Sequence, residues 1–210
     1  MHKIAIGLAV VLAALPAAAR ADEEWDRCAG AASGAVISAE ARIGSCTRLI
    51  DGGGLSPADT ASIYTNRAFA YVDKGLTDRA IADYTRAIAL DPGNALAYAG
   101  RGIQYGNKAL YDRALADENK SIALQPNDAR TYDNRGIIFM AKGYYGQTIA
   151  DATKAITLDP GNALAYALRG FANEKTGLRD KAVADYREAL KLDPGNKEAL
   201  GGLKNLGAAP

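Results

Sequence analysis

Apolar and small residues return along this chain with a period of 34. Large ones recur as Tyr64, Tyr98, Tyr132 and Tyr166, as Ile81, Leu115, Ile149 and Val183, and as Ile88, Ile122, Ile156 and Leu190. Small ones recur as Ala68, Gly102, Gly136 and Gly170, opposite Ala80, Ala114 and Ala182, with Thr148 the exception. Within a period the apolar positions fall three and four apart, which is the spacing of one helix face. Each period therefore splits into two helices of about a dozen residues. Small residues facing large ones at a fixed interval predict stacked helical hairpins that bury one continuous core.

The punctuation between helices has the same period. LDPGNALAYA stands at 90–99 and again, letter for letter, at 158–167. Pro92, Pro126, Pro160 and Pro194 disfavour helix at Asp91, Gln125, Asp159 and Asp193 before them. Asn94, Asp128, Asn162 and Asn196 then supply N-caps for the helices that follow. Inside the periods Gly75, Gly143 and Gly177 mark the hairpin turns, because glycine ends a helix in the left-handed region without penalty. Ala109 takes that place in the second period, which leaves a different turn or a strain of about 1 kcal/mol.

Four full repeats result: 61–94, 95–128, 129–162 and 163–196. After them, 197–210 holds one more helix, made polar by Lys197, Glu198, Lys204 and Asn205, and reads as a solvating cap. Before them, residues 22–60 form a lead-in. Residues 22–37 show no sustained helical stripe. A helix from Ser38 or Ala39 to Ile50 then places Ile43, Cys46, Leu49 and Ile50 on one side. That helix reads as a degenerate half-repeat, with Ile43, Thr47 and Arg48 matching Ile81, Thr85 and Arg86.

The first 21 residues read as a signal peptide. Lys3 precedes a short apolar run at 4–15, and Ala19-Arg20-Ala21 is an A-x-A site, so cleavage after Ala21 is expected. No later stretch is apolar enough to span a bilayer. The expected location is the periplasm or the extracellular medium.

Charge and composition then narrow the function. The chain has 25 Lys and Arg against 24 Asp and Glu. This balance argues against a nucleic-acid binder driven by net charge. The one histidine, His2, lies in the signal, so a mature chain has no imidazole for Ser-His-Asp or Cys-His catalysis or for a His-ligated metal. No Gly-rich phosphate loop follows a strand, and no nucleophile stands beside a base. Neither an enzyme nor a cofactor is expected. Cys28 and Cys46 are the only cysteines, and in an exported chain such a pair is expected as a disulfide. Arg67, Arg101, Arg135 and Arg169 share one repeat position, and Asp83, Asp117, Asp151 and Asp185 share another. A ligand rarely needs four equal sites, so a structural Arg–Asp ladder is expected, within repeats or between them.

The repeats resemble the tetratricopeptide repeat. In the first, Tyr64, Ala68, Tyr71, Ala80, Tyr84, Ala87 and Pro92 fall on that family's pattern. The others depart from it at one or two positions: Glu118 and Asn173 stand where an aromatic is usual, and Thr148 and Ala152 interrupt the third repeat. The resemblance implies an all-α fold, a right-handed superhelical array of helix-turn-helix hairpins whose first helices line a concave groove. Such grooves bind extended or helical peptides. The residues placed there are Asn66, Phe69, Ile103, Arg130, Asp133, Asn134, Ile137 and Phe171, with Phe69, Ile103, Ile137 and Phe171 as an apolar middle line. The Lys and Asn pattern with which chaperone-binding members clamp a terminal carboxylate is absent from the first repeat, so an apolar anchor with polar rims is expected. The implied function is an exported adaptor or scaffold for a protein or peptide ligand. The alternative is a self-associating envelope component, in which a second copy or the chain's own termini cover the groove.

Overall fold

Eleven α-helices follow one another in a computed structural model that describes residues 17–30 and 36–209, and of 17–21 the backbone alone. They are α1 Ala17–Ala29, α2 Ala39–Gly52, α3 Pro57–Asp73, α4 Thr77–Leu90, α5 Ala95–Asn107, α6 Tyr111–Leu124, α7 Ala129–Ala141, α8 Tyr145–Leu158, α9 Ala163–Lys175, α10 Arg179–Leu192 and α11 Lys197–Asn205. The n-region and apolar run of the expected signal peptide lie outside the described residues. No helix among the described residues is long and apolar enough to cross a membrane.

Each odd helix from α3 to α9 pairs with the next, and each hairpin packs on its neighbours in sequence. The close approach depends on small residues. Ala68, Ala80, Ala87 and Ala97 are wholly buried around Tyr84. At the far end Ala182, Ala189, Ala199 and Leu203 enclose Tyr186. Thr148 fits the hairpin contact because its hydroxyl donates to the carbonyls of Gly136 at 3.3 Å and Tyr144 at 3.2 Å. A buried hydroxyl with acceptors avoids the desolvation penalty.

The turns obey one rule. Leu76 N–H donates to Tyr71 O, Leu110 to Tyr105, Tyr144 to Phe139 and Leu178 to Asn173, all within 2.8–2.9 Å. This six-to-one bond needs a left-handed residue before it. Gly75, Gly143 and Gly177 supply it, and so does Ala109 at φ 56°. The second repeat keeps the common turn and accepts the strained alanine. Between repeats, the side chains of Asn94, Asp128, Asn162 and Asn196 accept from the backbone N–H groups of Ala97, Arg130, Ala165 and Ala199 at 2.9–3.1 Å. The Asn94 amide also donates to Thr65 in the preceding first helix at 3.1 Å, so one residue caps a helix and ties two repeats together.

The Arg–Asp ladder runs both within and between repeats. Arg67, Arg101, Arg135 and Arg169 each clasp the aspartate of their own hairpin through Nε and Nη2. Each Nη1 then donates to the preceding second helix, at Thr47, Thr85, Asn119 and Thr153. The periodic aromatics explain themselves here. Tyr64 and Tyr71 flank Arg67, Tyr98 and Tyr105 flank Arg101, and Tyr132 and Phe139 flank Arg135, with ring centroids 5.3–5.9 Å from the guanidinium carbon. In the fourth repeat Asn173 replaces the second ring and donates to Asp185 at 2.9 Å instead.

The lead-in differs from the sequence expectation. Residues 17–29 are helical and pair with α2 as a complete hairpin rather than half of one. Trp25 and Cys28, three apart, put one face of α1 onto Cys46, Ile50 and Ile63. Too few apolar residues lie on α1 for the stripe to show in the sequence. The Cys28 and Cys46 sulfurs stand 2.12 Å apart, at disulfide-bonding distance. Thr47 accepts from Arg67 as Thr85 does from Arg101, so α2 occupies the place of a second helix. At the other end α11 docks through Gly202, where an added Cβ would lie 2.2 Å from the Tyr186 ring.

Candidate functional site

The first helices α3, α5, α7 and α9 present one side to a run of open hollows, with α11 at its far end. Four hollows along it share walls. The first, of about 310 Å³, lies between α3 and the Asp91–Asn94 turn and includes Ser62, Thr65, Asn66 and Phe69. Phe69 is also a wall of the second, about 290 Å³, with Leu96, Ile103, Arg130, Asp133 and Asn134. Ile103 and Asn134 carry on into the third, about 230 Å³, which Tyr111, Glu118 and Ile137 complete. Ile137 leads to the fourth and largest, about 450 Å³, walled by Met140, Leu164 and Phe171 and closed by Lys197, Glu198 and Gly201 of α11. One trough thus runs along the inner face.

All eight residues expected in the groove line this trough. Their environments differ. Ile103 and Ile137 are 40% and 38% exposed. Phe69 and Phe171 are half-buried. Phe69 meets Tyr84 edge-on at 5.7 Å, Phe171 meets Tyr145 at 6.3 Å, and the Lys175 ammonium lies 5.0 Å from the Phe171 ring centre. Leu96 and Leu164, 47% and 46% exposed, widen the apolar line. Arg130 is exposed and held by Asp128 through Nε at 3.1 Å and Nη2 at 3.0 Å. This contact holds the Asp128 carboxyl below its ordinary value.

Asp133 is buried. Its Oδ2 accepts from the Asn162 amide at 2.5 Å, while Oδ1 has no partner among the described residues. Burial raises its pKa to about 6, with the Asn162 bond opposing. Glu118 was not among the expected residues, because it belongs to a second helix. It has no exposed surface, and neither carboxyl oxygen has a hydrogen-bond partner among the described residues. Burial foremost, then the neighbouring Asp117, raises its pKa to about 9. The signal for it was present in the sequence as the glutamate standing where the pattern asks for an aromatic.

A stack of two-helix repeats with an open, apolar inner trough defines the molecule as a helical repeat solenoid. Sequence profiles of the tetratricopeptide repeat match residues 61–94, 129–162 and 163–196. The chain is a tetratricopeptide-repeat protein, and its fold is that of a protein-interaction module. Among solved structures it is similar to MamA, at 26% identity and a TM-score of 0.67, over 74% of this chain and 89% of that one. It is also similar to the Arabidopsis OM64 TPR domain, at 31% identity and a TM-score of 0.52, over 53% of this chain and 93% of that one. The first TPR of Spaghetti (RPAP3), bound to the HSP90 peptide SRMEEVD, matches at 26% identity and a TM-score of 0.53, over 54% of this chain and 90% of that one. No curated protein matches the sequence.

Proposed function

We propose that this protein is an exported adaptor that holds a segment of a partner protein along its inner trough. The observation that carries the reading is the run of exposed apolar side chains Leu96, Ile103, Ile137 and Leu164, which line adjoining hollows of one trough. Such a line offers anchor sites for apolar side chains, and the charged residues beside it form a rim. The Spaghetti (RPAP3) domain, which carries an HSP90 peptide, supports peptide capture by this architecture. The reading involves no catalysis. A turnover abolished by a single carboxylate substitution would overturn that part.

Capture from a cell-envelope fraction tests the trough. The full chain is expected to retain a partner that an Ile103→Asp, Ile137→Asp double variant loses, with the circular dichroism of the variant unchanged. Equal retention by both would move the site off the inner face. The same exposed line suits a second copy of the chain. A molar mass that rises with concentration in light scattering, and stays monomeric in the double variant, would favour self-association instead.

Export rests on the N-terminal pattern and is supported by the Cys28–Cys46 geometry, since disulfides persist in oxidising compartments. Protein recovered from the producing cell is expected to begin at Asp22 and to contain no free thiol. An intact Met1 terminus with two reactive thiols would remove export from the reading.

A further inference from the structure

We infer that the middle of the trough receives an arginine side chain of the partner segment, with the Glu118 carboxylate as its counter-ion. This deepens the trough reading above and depends on it. Glu118 is fully buried and lines the third hollow with Ile103, Tyr111, Asn134 and Ile137, yet both its oxygens lack a partner among the described residues. Leaving a buried carboxyl unpaired is costly, and folded proteins rarely do it without use.

The rest of the chain shows what is missing. Asp83, Asp117, Asp151 and Asp185, on the same second helices, each hold a guanidinium through both oxygens. The ladder arginines of the two first helices beside it, α5 and α7, are already paired. Arg101 holds Asp117 and Thr85, and Arg135 holds Asp151 and Asn119. Glu118 is one half of a pair whose other half the described residues do not supply.

Guanidinium suits this place better than ammonium. Two free oxygens of one carboxylate match its fork, it is weakly hydrated, and its stem can lie along Ile103 and Ile137. Asp133 reinforces the sign. Asp133, whose Oδ1 has no partner among the described residues, lines the adjoining hollow, which shares Ile103 and Asn134 with this one. An acidic segment such as SRMEEVD would meet two buried carboxyls here.

Charge follows from the same geometry. Asp117 on α6 and Asp128 before α7 raise the Glu118 pKa. Arg135 on α7 lowers it, as does Asn134, which approaches without completing a hydrogen bond. α5 presents Gly102 and the apolar Ile103. With a pKa of about 9 the free carboxyl holds its proton at neutral pH. Arginine binding releases that proton to solvent, so affinity rises with pH toward 9, by at most about tenfold per unit.

The test uses the full chain and three pools of nonapeptides with identical apolar flanks and arginine, citrulline or lysine at the centre. Citrulline keeps the shape of arginine and lacks its charge. The arginine pool is expected to bind about tenfold more tightly than the citrulline pool at pH 8, and less so at pH 6. In Glu118→Gln the arginine and citrulline pools should bind alike. The pH series on the wild type needs no variant and covers the case of a Glu118→Gln that fails to fold. Equal binding of arginine and citrulline overturns the inference while leaving the trough reading to the aspartate double variant. Lysine binding as tightly as arginine overturns the guanidinium assignment. A preference kept by Glu118→Gln overturns the role of Glu118. Binding of none of the pools overturns the inference, and the envelope capture then decides the trough by itself.

Discussion

Position 118 shows how one side chain sets the character of a repeat. Its counterparts Tyr84 and Tyr186 each lie over a glycine of the following first helix, Gly100 and Gly202, where an added Cβ would stand 2.4 and 2.2 Å from the ring. The same register pairs Glu118 with Asn134 and Ala152 with Leu168, so a large residue on one side is answered by a small one on the other. In Glu118 the folded state raises an acid pKa from 4.5 to about 9. A raised acid favours the fold below its unfolded value and loses that advantage as pH climbs to its folded value. Wild-type stability is therefore expected to fall between pH 5 and pH 9 relative to Glu118→Gln, by about 1.4 kcal/mol per unit at most. Urea midpoints across that range measure it, and parallel profiles would contradict the burial of the charge. Glu118→Tyr alone should clash with Asn134. Adding Asn134→Gly rebuilds the Tyr84–Gly100 pair and should recover about 1–3 kcal/mol of coupling in a double-mutant cycle.

At the scale of the element, every helix is bounded by a device with a physical cause. Proline stops a second helix, an Asn or Asp caps the next first helix, and a left-handed residue closes each hairpin. Ala109 is the one left-handed residue that is not glycine among those described. A Cβ in that region costs about 1–2 kcal/mol. Ala109→Gly is expected to raise stability by about 1 kcal/mol, less the greater freedom of glycine in the unfolded chain. Thermal unfolding checks it, and a lower midpoint would mean the turn is not strained. The helix lengths, breaks and caps of repeats one to four were legible in Pro92, Asn94, Gly75 and their equivalents, because each acts on its own few residues of backbone. α1 was not legible. Its helix rests on two residues, Trp25 and Cys28, packed against partners on α2 and α3, and such support is tertiary.

Across the whole molecule, contacts run between neighbours in a line, so stability is close to a sum of repeat and interface terms. The terminal hairpin has one neighbour and a link across 18 residues between Cys28 and Cys46. Closing such a loop contributes about 3 kcal/mol in the chain-entropy account. Replacing both cysteines with serine is expected to cost about that much in the α1–α2 hairpin. Hydrogen exchange should quicken there and stay unchanged in α9–α11. A uniform change along the chain would show global cooperativity in place of a linear array.

The resemblance to the tetratricopeptide repeat implied the line of residues along the inner face. The residue pattern alone determined the period, the hairpins, the caps and the Arg–Asp pairing. These follow from local backbone preference and from repetition, which places equivalent residues in equivalent surroundings. Tertiary structure decided the rest. It set which carboxyls are buried, since exposure depends on residues far apart in the chain. Asp133 found a donor in Asn162, 29 residues on, which caps α9, whereas Glu118 found none among the described residues. It joined four hollows into one trough through shared walls at Phe69, Ile103, Asn134 and Ile137. It also closed that trough with α11, because only packing of the last helix against Tyr186 brings Lys197 and Glu198 to the mouth of the largest hollow.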